Sequence, residues 1–208
     1  MNASGSGGDF SFAERLAAPT PTPGGGGACA RVALYATSLA RMVLGISTRR
    51  EEARKDSSGA SVETLTALTR EAEALAERLR RLEGEDTEVF DSFMRTLKLP
   101  RDTAEEKASR KAVRRGAAEE CARVPFNILE AIRDTLLVLG RIHQLRDEGV
   151  LRAESDLGVA LELAGAAFRG AEQTLSANFP ELEPPAVAAY VQRLESLRKE
   201  LGGLLSGS

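Results

Sequence analysis

Two aspartates stand where helices are expected to begin: Asp86 in the run Gly84-Glu85-Asp86-Thr87-Glu88, and Asp156 in Glu154-Ser155-Asp156-Leu157-Gly158. A carboxylate in that position is first of all a cap, because it accepts from the free N–H groups of the first turn. It is also a competent general acid or base once burial or a neighbouring charge tunes its pKa. The flanks of Asp156 are small, so convergence of the two carboxylates in one cleft, with the Ser155 hydroxyl beside them, is the functional alternative to two separate caps. A third polar start is the stretch Pro19-Thr20-Pro21-Thr22-Pro23 followed by Gly24, Gly25, Gly26 and Gly27. Bare backbone lets a ligand approach closely, and a helix start directs N–H groups and the positive dipole end outward. The other role for these glycines is a tight turn with close helix packing. The prolines favour a rigid functional loop, since a plain linker does not need them.

Other chemistries are poorly served. His143 is the sole histidine and sits in a polar turn, which removes His-based triads and multi-histidine metal sites. Cys29 and Cys121 lack metal-ligand or redox spacing and read as buried reduced thiols. No GxGxxG follows a strand and no Walker lysine follows the glycines. No metal site is therefore expected. Basic residues collect at Arg49, Arg50, Arg54 and Lys55 and again from Lys98 to Arg115; the second cluster is interleaved with acids, as on a solvated helix face. A landing site for a small polyanion is its functional counterpart.

The elements that must position these groups are all helical. A short helix from Asp9 or Ser11 ends before Pro19. After the glycines, Val32, Tyr35, Leu39, Met42, Val43 and Ile46 recur at helical spacing and predict a central helix covered on several sides. Thr48 to Ser61 reads as a loop or fraying end. Leu65, Leu68, Ala72, Leu75, Leu79 and Leu82 mark an amphipathic helix that Gly84 breaks. Asp86 then caps a further helix with Val89, Phe90, Phe93, Met94 and Leu97 facing inward. Thr103 or Asp102 with Glu106 forms a capping box, Pro125 kinks or restarts that helix, and Gly149 closes it. Ser155-Asp156 opens a helix reaching Asn178, and Pro184 or Pro185 begins the last one, to Leu201. Residues 1–8 are expected to fray, and 9–205 to form one domain. The fold expected is an all-α antiparallel bundle of about six to eight helices, assembled as a homodimer.

Composition agrees. The 208 residues are 42% hydrophobic but only 4% aromatic, so the core is built from Leu, Val and Ala. A net charge of −3 does not suggest a nucleic-acid partner. The N-terminus lacks the basic and apolar regions of a secretory signal. The best apolar run, Val32 to Ile46, is cut by Arg41 and falls short of the ~20 residues of a membrane span. A soluble, cytoplasmic protein without membrane contact is expected.

PTPGGGGA, DTEVFDSFMRTLKLPRDTAEEKASR, Val124-Pro125, SDLGVA and the later Asn178 occur in an order and spacing that resemble the cyclodeaminase/cyclohydrolase family of folate enzymes. The resemblance runs from Phe10 to Phe179. It implies an all-helical dimer acting on a folate substrate, with no cofactor beyond tetrahydrofolate as the carrier of the one-carbon group. It implies either water addition to 5,10-methenyltetrahydrofolate or cyclisation of 5-formiminotetrahydrofolate with loss of ammonia. The 208 residues leave no room for a formiminotransferase domain, from which the cyclohydrolase is the favoured activity. By the same resemblance Thr22 and the four glycines line the folate pocket, and Asp86 or Asp156 carries the proton. Ser155 and Asn178 orient the substrate, and Arg49 and Arg50 contact its glutamate tail. Departures from the family pattern are Glu51-Glu52 where a Tyr ends the basic run, Arg101 for Lys, Thr174 for Asn and Gly45 for Asn. They support a second expectation, a diverged non-catalytic folate binder or scaffold.

Overall fold

The computed structural model describes residues 7–54 and 59–205, with side chains from Ser11 onward. The expected fraying of residues 1–6, and Lys55 of the first basic cluster, lie outside that range; Gly7 and Gly8 open a helix. Six α-helices and two short 3-10 turns make up the described residues, with no strand among them. They are α1 Gly7–Ala17, α2 Gly25–Ala53, α3 Gly59–Thr96, α4 Ala104–Gln144, α5 Glu154–Ala177 and α6 Pro184–Leu201; the 3-10 turns are Phe179–Glu181 and Gly202–Leu205.

Helices α2 to α5 form an antiparallel core. The register of α2 on α5 is given by three contacts: Gly25 against Thr174, Cys29 against Gly170, and Ser47 Oγ accepting from the Arg152 N–H at 3.0 Å. Helix α3 is clasped to α2 by Arg41–Glu73 and Arg31–Glu83, and to α4 by Arg78–Asp134 and Arg141–Glu71. Helix α6 lies along α4, where Tyr190 meets Phe126 at 5.4 Å between ring centroids and the Arg193 guanidinium lies over the Phe126 ring.

The inward face of α2 is Ala30, Ala33, Leu34, Ala36, Thr37, Ala40, Val43, Leu44 and Ser47. Three of the larger residues expected inside, Tyr35, Met42 and Ile46, are instead exposed at 38–43%. Close helix contact needs small side chains, so the alanines turn toward α3, α4 and α5 and the bulky residues turn away. By length and composition α2 would also cross a membrane, but 44% of its apolar window is buried inside the bundle.

Two expected breaks are absent. Helix α3 runs through Gly84, where no atom crowds the backbone. A helical glycine costs about 1 kcal/mol, and the packed turn before it, with Leu79 and Leu82 buried, offsets that. Helix α4 runs through Pro125. Its start is as expected: Thr103 and Glu106 form a reciprocal capping box. The inward placement of Met94 and Leu97 also fails, because α3 continues ten residues beyond Asp86, or ~15 Å, past the start of α2; Met94 and Leu97 are 37% and 36% exposed.

Candidate active site

The start of α2, the middle of α3 and α4 and the end of α5 meet at one end of the bundle. They enclose a cavity of about 250 Å³. Its walls are Pro21, Thr22, Gly24, Gly25 and Gly26 from the loop and α2, Asp86, Val89 and Phe90 from α3, Cys121 and Pro125 from α4, and Thr174, Ala177 and Asn178 from α5.

Asp86 is not the cap of its own helix. It lies inside α3 and caps α2 from across the interface: the Gly27 N–H donates to Asp86 Oδ2 at 2.8 Å. The extended Gly24 that precedes α2 supplies no side-chain cap. First-turn amides have no acceptor within their own helix, so those of Gly25 and Gly26 remain as donors at the cavity wall. The glycines are required by geometry as well. A Cβ on Gly26 would stand 2.2 Å from Asp86 Oδ1, and one on Gly25 would stand 3.0 Å from Thr174 Cγ2. Bare backbone at Gly26 is what lets the carboxylate lie against α2.

Burial raises the pKa of Asp86 above its ordinary value, and the Gly27 N–H partly opposes the rise. The carboxyl is therefore easier to protonate than a surface aspartate, which suits a group that must both take and return a proton. Both cysteines sit near it. Burial and then the Asp86 charge push Cys29 and Cys121 up to about 11, so both are neutral thiols. Cys121 Sγ donates to the Val89 carbonyl at 3.5 Å and ties α4 to α3 at the cavity wall.

The proline loop is fastened at its threonines. Thr20 Oγ1 donates to the Thr22 carbonyl, and Thr22 Oγ1 donates to Asp91 Oδ1 at 3.1 Å. On the opposite wall Asn178 ends α5, and its Nδ2 donates to the Thr174 carbonyl at 2.8 Å. That bond turns the amide oxygen into the group free to accept from a ligand.

Asp86, Thr22, Gly24, Gly25, Gly26 and Asn178 therefore share one cavity, and Gly27 supports it through its amide. The other expected site residues lie elsewhere. Ser155 and Asp156 occupy the first turn of α5, whose start is Glu154 after a left-handed Ala153. Asp156 is 22 residues from Asn178, or ~33 Å along the helix, so within one chain the two aspartates do not converge. Arg49 and Arg50 are at the opposite end of α2, ~35 Å from Gly26 by the same rise. A different set of cations lies nearer. Arg101, Lys107, Arg110, Lys111, Arg114 and Arg115 line a cleft of about 390 Å³ on the α3–α4 hairpin. Arg114 pairs with Glu181, three residues after Asn178, which joins that cleft to the rim of the cavity. Val89 and Cys121 are wall residues that the sequence does not single out, while Pro125 and Thr174 stand at positions of the family pattern.

The cavity therefore sets a half-buried carboxylate against helix-start amides at one end of an all-helical bundle. Residues 10–196 match the formiminotransferase-cyclodeaminase family. A methenyltetrahydrofolate cyclohydrolase of Methylorubrum extorquens is 32% identical over 197 residues, covering 93% of this chain and 89% of that protein. The formimidoyltransferase-cyclodeaminase of Sus scrofa is 28% identical over 192 residues, which span 91% of this chain but 34% of that longer protein. A formiminotetrahydrofolate cyclodeaminase from Thermotoga maritima has the same fold, with a TM-score of 0.76 and 21% identity over 95% of this chain and 91% of the other. The chain belongs to the formiminotransferase-cyclodeaminase family.

Proposed function

We propose that the protein is a folate one-carbon enzyme that forms or opens 5,10-methenyltetrahydrofolate, with Asp86 as the proton carrier. The observation that carries this reading is the half-buried Asp86 carboxylate held by the Gly27 amide in a cavity with free helix-start donors. In the hydrolytic direction Asp86 takes a proton from the water that adds to the methenyl carbon. It returns that proton to N5 as the ring opens to 10-formyltetrahydrofolate. In cyclodeamination it moves the N10 proton to the departing ammonia. The amides of Gly25 and Gly26 and the Asn178 side chain orient the ring system. The Methylorubrum relative, similar over nearly its whole length, favours the cyclohydrolase. Following the methenyl absorbance with purified protein tests this directly. Faster loss from 5,10-methenyltetrahydrofolate means cyclohydrolase, a gain from 5-formiminotetrahydrofolate means cyclodeaminase, and no change in either contradicts the reading.

A cavity of about 250 Å³ is smaller than the roughly 300–1,000 Å³ that encloses a drug-sized ligand. It takes the reacting ring and leaves the aminobenzoyl-glutamate tail outside. This reading assigns the tail carboxylates to the basic cleft beside the rim, since Arg49 and Arg50 lie at the far end of α2 within one chain. Among its cations Arg101, Lys107 and Lys111 have no ion-pair partner among the described residues. The triple change Arg101→Gln, Lys107→Gln, Lys111→Gln is expected to raise KM by about tenfold, the effect of ~1.4 kcal/mol, at unchanged kcat; an unchanged KM in steady-state kinetics would exclude the cleft.

The same reading makes the protein a homodimer. The exposed stripe Tyr35, Met42 and Ile46 runs along the central helix, and a second copy would cover it. Light scattering is expected to give a dimer mass, and Met42→Glu with Ile46→Glu a monomer. A monomeric parent protein would contradict the assignment.

A further inference from the structure

Pro125 is buried in the interior of the long helix α4, and it faces the cavity together with Cys121, one turn earlier. A helical N–H at position 125 would bond to the carbonyl of residue 121. Proline has no such N–H, so the Cys121 carbonyl loses its α-helical partner. Residues four apart lie on one helix face, and both of these line the cavity, so the released carbonyl lies on its wall. An acceptor left without its helical partner beside a cavity is costly unless water or a ligand bonds to it. Proline is the residue least suited to a helix interior, and α4 carries it on the face that lines the cavity of Asp86.

We propose that the Cys121 carbonyl holds the small N–H or O–H reactant of the reaction, which is the attacking water in hydrolysis and the departing ammonia in cyclodeamination. This rests on the folate reading given above. In hydrolysis the water donates one O–H to the Cys121 carbonyl and directs its lone pair at the methenyl carbon. As the C–O bond forms, the C=N pair moves onto nitrogen and the second water proton passes to Asp86. In the amine reaction the carbonyl accepts from the ammonia that carries the proton delivered by Asp86. The carbonyl exchanges no proton in either case; its role is orientation, and the acidifying O–H or N–H strengthens its hydrogen bond.

Pro125→Val restores a backbone N–H while keeping most of the ring's volume, and Pro125→Ala restores it with less. Both variants are expected to unfold at higher temperature than the parent protein. Both are also expected to lose kcat by about 10- to 100-fold, the scale of a misplaced reactant, with KM little changed. A merely structural proline would not give a protein that is more stable, binds substrate normally and turns over slowly. Crystals of the ligand-free parent protein should show an ordered water on the Cys121 carbonyl, and crystals of Pro125→Val should lack it. Higher stability with unchanged kcat in both variants would overturn the proposal. If the parent protein acts on neither folate, the folate reading fails, and the water decides separately: an ordered water displaced in Pro125→Val retains the carbonyl as an acceptor site, and no water there removes it.

Discussion

Gly26→Ala is expected to cut kcat/KM by at least ~10²-fold, the scale of a 1 Å misplacement in an active site. The new Cβ would be 2.2 Å from Asp86 Oδ1, 2.6 Å from its Cγ and 2.7 Å from Oδ2. The whole carboxyl group must move, because a single methyl overlaps all of it. Asp86 has a short side chain rooted in the rigid middle of α3, so it swings away from the Gly27 amide. A hydrogen bond to a charged group is worth about 1.5–3 kcal/mol, and its loss lowers the unfolding temperature. The change has a specific signature. In an Asp86→Ala background the overlapping atoms are gone, and Gly26→Ala should then be tolerated or mildly stabilising, since alanine is the better helix former. A thermal-melt double-mutant cycle reads this coupling; additive losses would mean that the contact does not govern the site.

Asp86→Asn is expected to retain the fold and lose about 10²–10⁴ in turnover, the usual contribution of a positioned general acid–base group. The amide oxygen can still accept from Gly27, so binding changes less than kcat. The same variant reports the environment of the carboxyl through stability. Burial raises the folded-state pKa of Asp86 above its ordinary value of 3.8. The folded state therefore binds the proton more tightly than the unfolded chain. Stability contributed by the neutral form is fully present below the ordinary value and is lost as pH rises through the raised one. The asparagine variant has no such loss. Relative to Asp86→Asn, the parent protein should become progressively less stable from acidic toward neutral pH in thermal melts. A difference that is constant with pH would mean that Asp86 is not desolvated.

The helices were legible because apolar residues recur at helical spacing and the punctuation is strong: Pro19 and the glycines before α2, the Thr103–Glu106 box and Pro184 all act locally. Gly84 and Pro125 misled for the same reason. Local propensity predicts breaks there, and tertiary packing on both sides carries the helices through. Asp86 shows the consequence. Its spacing predicts a cap for the helix that follows it, whereas it lies inside α3 and caps α2, a helix from another part of the chain. Helix faces can be read from spacing, but how far antiparallel helices overlap cannot. That overlap places Asn178 beside Gly25 and sends Asp156, Arg49 and Arg50 to the far end of the bundle. Alanine content showed that the helices pack closely without showing which of α2's apolar residues would be left outside. The basic cleft is visible as a charge run, and the Arg114–Glu181 contact connects it to the cavity rim.

In the proposed mechanism Asp86 is a half-buried, proton-exchanging carboxyl in direct contact with a bound folate. NMR of the isotope-labelled aspartate carboxyl carbons tests it most directly, with Asp86→Asn used to assign the resonance. The account predicts that Asp86 titrates above the ordinary aspartate range in the free protein and that its signal shifts when a stable tetrahydrofolate is added. An Asp86 carboxyl that titrates like a surface aspartate and does not respond to the folate would contradict it.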